Sequence, residues 1–164
     1  MMMKKMMMIA MMILTAACCF AGTYTITLIS KVEKVDAQYV IRNSETGAIG
    51  ESVIYSTDEI AKQDVRTSFD VIQSCYSNGI QNVAFTVSAT ELKANVGGRV
   101  YSTDGVSIVM DGRSFGSTVS FARQTSGVVS AGATVASFEV VWPTSQNLVQ
   151  ATYEACVTLT AVAL

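Results

Sequence analysis

Histidine is absent from the 164 residues, which excludes the Ser-His-Asp and Cys-His arrangements of nucleophilic catalysis. With no histidine and no C-x-x-C pair, the usual ligand sets for a protein-bound metal are missing as well, and no cofactor is expected. Proline occurs once, at Pro143. Charge is sparse at 15% of residues. No apolar run reaches the roughly 20 residues that a membrane-spanning helix needs. No segment keeps an apolar period of 3.6 for more than about two turns, so helices have no amphipathic stripe to pack on.

What is present begins with residues 1–21, which have the three parts of a secretory signal. Lys4 and Lys5 precede an apolar stretch from Met6 to Phe20, and Cys19-Phe20-Ala21 forms a small-x-small cleavage site. Cleavage after Ala21 is expected; the competing reading is lipid attachment at Cys18, after Thr15-Ala16-Ala17. Eight of the nine methionines belong to this leader, and its removal leaves nine basic residues against thirteen acidic ones. A net charge of −4 repels a phosphate backbone, so nucleic acid is not an expected partner. The remaining residues suffice for one domain with a core of its own.

Outside the leader Cys75 and Cys156 are the only thiols. An even pair in an exported chain predicts one disulfide, which would stabilise by about 4 kcal/mol in the chain-entropy account.

From Ala37 onward short alternating runs are separated by Gly, Asn, Asp and Ser, the pattern of an all-β domain. Strands are expected over residues 37–42, 52–55, 69–75, 83–89, 99–103, 106–110, 118–123, 135–142 and 153–162. Asn78-Gly79 reads as a hairpin signal, and Asp104-Gly105 with Asp111-Gly112 reads as a meander with tight turns. Residues 57–62 admit one helical turn at best, and residues 124–132 read as a loop. Pro143 should stop its strand directly after Trp142, a core position by alternation. In the last strand Tyr153, Ala155, Val157, Leu159 and Ala161 share one face, with Cys156 on the other. The whole reads as one β-sandwich.

Chemistry is hard to find. Asp58, Glu59 and Asp64 form an acidic cluster best read as a solvated loop, and Gly97-Gly98 lacks the lysine and helix of a phosphate loop.

Residues 22–32, GTYTITLISKV, follow the leader directly. Tyr24, Ile26, Leu28, Ser30 and Val32 alternate with Thr23, Thr25, Thr27, Ile29 and Lys31, as in a half-buried strand. Cleavage at Ala21 would make this strand a free arm. It is either the first strand of its own sandwich or a strand that serves another molecule.

Four stretches carry a family resemblance: ITLISKVEKVDAQYVIRN, SVIYS, VSIVMDGRSFGSTVSF and the ending TYEACVTLTAVAL, in which Tyr153 opens a terminal strand. Together they resemble subunits of chaperone-usher fimbriae, most of all the class 5 colonisation-factor pilins. Cys75 and Cys156 set this chain apart from the cysteine-free major pilins of that class, and SFDVIQSCYSNGIQNVAF resembles the cysteine region of other chaperone-usher branches. Glu33-Lys34-Val35 stands where such subunits carry a proline. The resemblance implies an incomplete immunoglobulin-like sandwich over residues 35–164, completed by a donor strand, with residues 22–34 as the arm donated to a neighbour. It implies a terminal strand bordering the acceptor groove, with Tyr153, Val157 and Leu159 at its wall. The implied partners are a periplasmic chaperone, an outer-membrane usher, neighbouring pilus subunits in a homopolymer, a tip adhesin and a host receptor. The implied destination is the cell surface by way of the periplasm. The competing function is a monomeric secreted or surface-bound β-sandwich adhesin of lectin type.

Overall fold

The computed structural model describes residues 37–58, 64–125, 129–144 and 148–164, all within the unit Glu33–Leu164. The leader, the cleavage site, Cys18 and the arm with Tyr24, Ile26, Leu28, Ser30 and Val32 lie outside the described residues, as do most of residues 57–62 and part of the loop 124–132.

The described residues form strands and no helix. In chain order these are β1 (Tyr39–Asn43), β2 (Ile49–Gly50), β3 (Ser52–Thr57), β4 (Val65–Gln73), β5 (Gln81–Ala89), β6 (Lys93–Val96), β7 (Arg99–Ser102), β8 (Ser107–Met110), β9 (Arg113–Phe115), β10 (Thr118–Thr125), β11 (Thr134–Trp142) and β12 (Tyr153–Ala163). Two antiparallel sheets result. Sheet A has the order β2-β1-β4-β11-β8-β9; in sheet B, β10 pairs with β5, β5 and then β6 pair with one edge of β12, β7 pairs with β6, and β3 pairs with the other edge of β12.

The alternation explains the layers. Val83, Phe85, Val87 and Ala89 of β5 turn inward, as do Tyr153, Ala155, Val157 and Leu159 of β12, and all eight are buried. From sheet A they meet Phe69 and Val71 of β4 and Phe138, Val140 and Trp142 of β11. Aromatic pairs order this interior: Phe69 stacks on Phe138 at 5.5 Å, Tyr55 on Trp142 at 5.1 Å, and Tyr39 meets Phe85 edge-on at 4.8 Å. The Trp142 indole N–H crosses between sheets to donate to the Thr90 carbonyl at 2.8 Å, and β11 ends there, before Pro143. The Tyr153 hydroxyl donates to the Val149 carbonyl at 3.0 Å and accepts the Val149 N–H at 3.1 Å, which ties the entry of β12 to its own start.

The turns divide into expected and unexpected. Asp111 (φ 51°) and Gly112 (φ 72°) make a two-residue hairpin between β8 and β9, with Met110 facing Arg113. Gly79 also has positive φ, at 83°, yet Asn78-Gly79 makes no hairpin, because it leads from β4 in sheet A to β5 in sheet B. The meander expected around Asp104-Gly105 is likewise absent: β7 pairs with β6 in sheet B and β8 with β11 in sheet A. A dipeptide sets local φ, and the pairing of its flanks is decided by which core their apolar residues can share.

Strands are also more numerous than the pattern predicted. Beyond Ala89 the chain leaves the ladder for three residues, burying Leu92, and resumes as β6. β2 and β9 are too short to carry a visible alternation.

Candidate functional site

β12 has two edges, and they are not equally occupied. Along one, Val157 to Ala163 pair with Ala89 to Val83 of β5, and Glu154 pairs with Lys93 of β6. Along the other, β3 pairs only with Tyr153 to Thr158. A last bond follows, from the Leu159 N–H to the Glu51 carbonyl at 2.8 Å. There Gly50 and Glu51 carry the chain across to β2 in the other sheet, and no described strand takes their place.

Bond directions identify which groups are left on the open side. Thr90 N–H donates to the Cys156 carbonyl and Leu164 N–H to the Asn82 carbonyl, so even-numbered residues of β12 point their backbone groups toward β5. Leu159 points the other way, toward Glu51. Ala161 and Ala163 therefore direct their N–H and C=O groups to the open edge, where no described backbone group meets them. Side chains report the same boundary. Leu159 is 6% exposed, but Ala161, one step further on the same inward face, is exposed. Of the five residues that the alternation places on one face, Tyr153, Ala155, Val157 and Leu159 are buried and Ala161 is exposed.

A groove of about 710 Å³ opens along this edge. It is lined by residues 37–39 entering β1, by Glu51, by residues 80–83 entering β5, and by Leu159, Ala161, Ala163 and Leu164. The Ala37 N–H donates to the Gln81 side-chain carbonyl at 3.0 Å, so β1 and β5 meet at the groove's end. Among the described residues Glu51 is its one acidic side chain and no basic one lines it. Ile80 and Leu164 stand at its mouth with 66% and 76% exposure. The arrangement offers unpaired backbone of one strand beside a trough of mixed polar and apolar lining that holds one acidic side chain, and an added β-strand needs such an unpaired edge.

Of the three wall residues expected from the sequence, Leu159 lines the groove. Tyr153 and Val157 are fully buried where β3 pairs with β12 and do not line it. The sequence reading missed Ala161, Ala163, Tyr39 and Ile80. Their signal was faint: two alanines in an otherwise larger alternating run, and one isoleucine directly after a turn dipeptide.

Cys75 and Cys156 are not joined by a disulfide. The expected bond is corrected by topology. Ser74 N–H donates to the Gln38 carbonyl, which puts Cys75 at the end of the sandwich where β12 finishes. Cys156 lies seven residues before Ala163, a separation on the order of 20 Å at the rise of a strand, whereas a disulfide needs Cα atoms within about 7 Å. The Cys156 sulfur instead lies 2.9 Å from the Ser52 hydroxyl on the outer face of sheet B.

Comparison with protein-family models finds no match, and comparison with curated proteins finds none either.

Proposed function

We propose that this chain is a structural subunit of an adhesive chaperone-usher fimbria that polymerises by donor-strand exchange. In this reading the sandwich is of incomplete immunoglobulin type. A periplasmic chaperone covers its groove, an outer-membrane usher passes it outward, and the arm of a neighbouring copy fills the groove at the cell surface. The observation that supports it most is the open edge of β12, where Ala161 and Ala163 present backbone groups beside a trough with one acidic side chain.

The arm has the matching chemistry. Residues 22–32 carry a single charged side chain, Lys31, and it belongs to the face opposite Ile26 and Leu28. Ile26 and Leu28 would each contribute about 2 kcal/mol when buried in the trough, and the backbone ladder would fix the alignment. A one-residue slip would turn Thr27 and Ile29 inward instead, so register is specified.

The test is export of the full chain with Leu28→Asp, which would bury an unpaired carboxylate. Detergent-resistant polymers should disappear while the exported subunit still accumulates with its chaperone. Polymers that persist unchanged would refute the reading. A lone monomer, stable without any chaperone, would move the protein to the class of secreted β-sandwich binding modules.

A further inference from the structure

Glu51 is the single residue that carries the chain from sheet A to sheet B. Gly50 of β2 pairs with Ile41 and Ser52 of β3 pairs with Thr158, so the backbone is held on both sides of it. Its carbonyl accepts the Leu159 N–H at 2.8 Å, the last bond before the edge of β12 opens. The side chain is exposed and lines the trough. Asp64, Asp70, Glu91, Asp111 and Glu139 each have an arginine or lysine at 3.9 Å or less, and among the described residues Glu51 has none.

Residues 22–32 carry one charged side chain, Lys31, and where it arrives depends on the direction in which the arm enters. Ala161 and Ala163 are the two small residues of the open edge that share the inward face, and Ile26 and Leu28 are two large residues of the arm at the same spacing. An arm antiparallel to β12 sets Leu28 on Ala161 and Ile26 on Ala163, each facing pair exchanging two backbone bonds. Ser30 then comes level with Leu159, where Glu51 closes the lane, and Lys31 follows at the next position. A parallel arm with the same anchors brings Tyr24 to the level of Glu51 and carries Lys31 three residues beyond Ala163, about 23 Å along the strand from Leu159.

We propose that the Glu51 carboxylate pairs with Lys31 of the incoming arm and thereby sets the direction in which the arm lies. The inference rests on the fimbrial reading, in which residues 22–32 of another copy fill the trough, and it adds the side chain that decides how they enter. Ser30 is small enough to pass the closed end of the lane, whereas the Tyr24 ring of a parallel arm would meet Glu51 there. Beyond Ser30 the arm must lift toward solvent, the side on which Lys31 stands. The ammonium group on its flexible four-carbon stem can follow the exposed carboxylate. Both groups keep contact with water, so the pair raises affinity severalfold at most. Its weight lies in the choice between two directions, since the reversed arm loses it altogether.

The experiment uses the exported full chain carrying Leu28→Asp, whose own arm is disabled, and a synthetic peptide of residues 22–32, acetylated and amidated so that Lys31 is its one charge. Zero-length carbodiimide coupling should join the Lys31 amine to the Glu51 carboxylate, a product read by peptide mass analysis. Glu51→Gln should abolish that product and weaken peptide binding about threefold. A peptide with Lys31→Glu should bind about tenfold more weakly than the native one, Glu51→Lys should restore its binding, and the differences should vanish at about 1 M salt. The peptide variant leaves the fold untouched, so it decides the matter even if Glu51→Gln is unstable. Coupling only at other carboxylates, or binding indifferent to Lys31→Glu, overturns the pairing, while a native peptide that still binds leaves the fimbrial reading standing. A native peptide that does not bind at all overturns both.

Discussion

Asp70 shows how much a single outward position can depend on its neighbours. The Arg42 guanidinium donates to it at 2.8 Å and the Ser137 hydroxyl at 2.7 Å, and these bonds outweigh partial burial to hold its carboxyl below the usual carboxylate range. A folded-state pKa below the unfolded value of about 3.9 means the contribution is fully present above that pH and is lost as pH falls through the lower folded value. Asp70→Asn should therefore lower stability at pH 7 by no more than about 1 kcal/mol, since Arg42 is partly exposed, and should flatten the loss of stability below pH 4. Urea titrations between pH 2.5 and 7 measure both. Trp142 makes a stronger case. Trp142→Phe keeps a ring in the core but leaves the Thr90 carbonyl without its donor, a cost of about 1–3 kcal/mol readable in the urea midpoint. Core placement of Trp142 was readable from alternation and from Pro143. Its partner was not, because Thr90 is 52 residues away in the other sheet and no local pattern links them.

Among the elements, those whose signal is local were the easier to read. Asp111-Gly112 dictates its own hairpin, since both positions need positive φ and the flanking residues pair at once. The alternation of β5, β11 and β12 likewise gave their inward faces correctly. Asn78-Gly79 and Asp104-Gly105 misled because their flanks pair with strands distant in sequence. The end of β3 was hidden for the same reason, and with it the position of the groove. Proline substitution separates the two edges of β12. Ala161 directs its N–H to the open side, so Ala161→Pro should leave the sandwich folded by circular dichroism while strand addition is lost. Thr160 directs its N–H to β5, and Thr160→Pro should cost about 3 kcal/mol or more of stability. Equal damage from both substitutions would mean that the edge of β12 near Ala161 is not open in solution.

For the molecule as a whole, the fold class followed from composition and period, because a chain without amphipathic helices has only sheets with which to bury its apolar residues. The unequal edges of β12 did not follow, since they depend on where one crossover leaves a sheet. They make stability conditional. A sandwich with an open trough leaves Ala161 and Ala163 exposed to water, and whatever fills the trough stabilises the folded form by mass action. A synthetic peptide of residues 22–32 added to the full chain carrying Leu28→Asp should therefore raise the midpoint of thermal unfolding. Above the dissociation constant each tenfold increase in peptide should add about 1.4 kcal/mol, so the midpoint should climb steadily with the logarithm of concentration. The same peptide with Ile26 and Leu28 both replaced by Asp should have no effect, because two carboxylates would lose water beside Glu51 with no basic side chain among the described lining residues to pair them. Titrating both peptides by scanning calorimetry distinguishes a strand-specific site from general peptide adsorption. If the native peptide leaves the midpoint unmoved across a thousandfold range, the trough is closed in solution and residues 22–32 have no place in it.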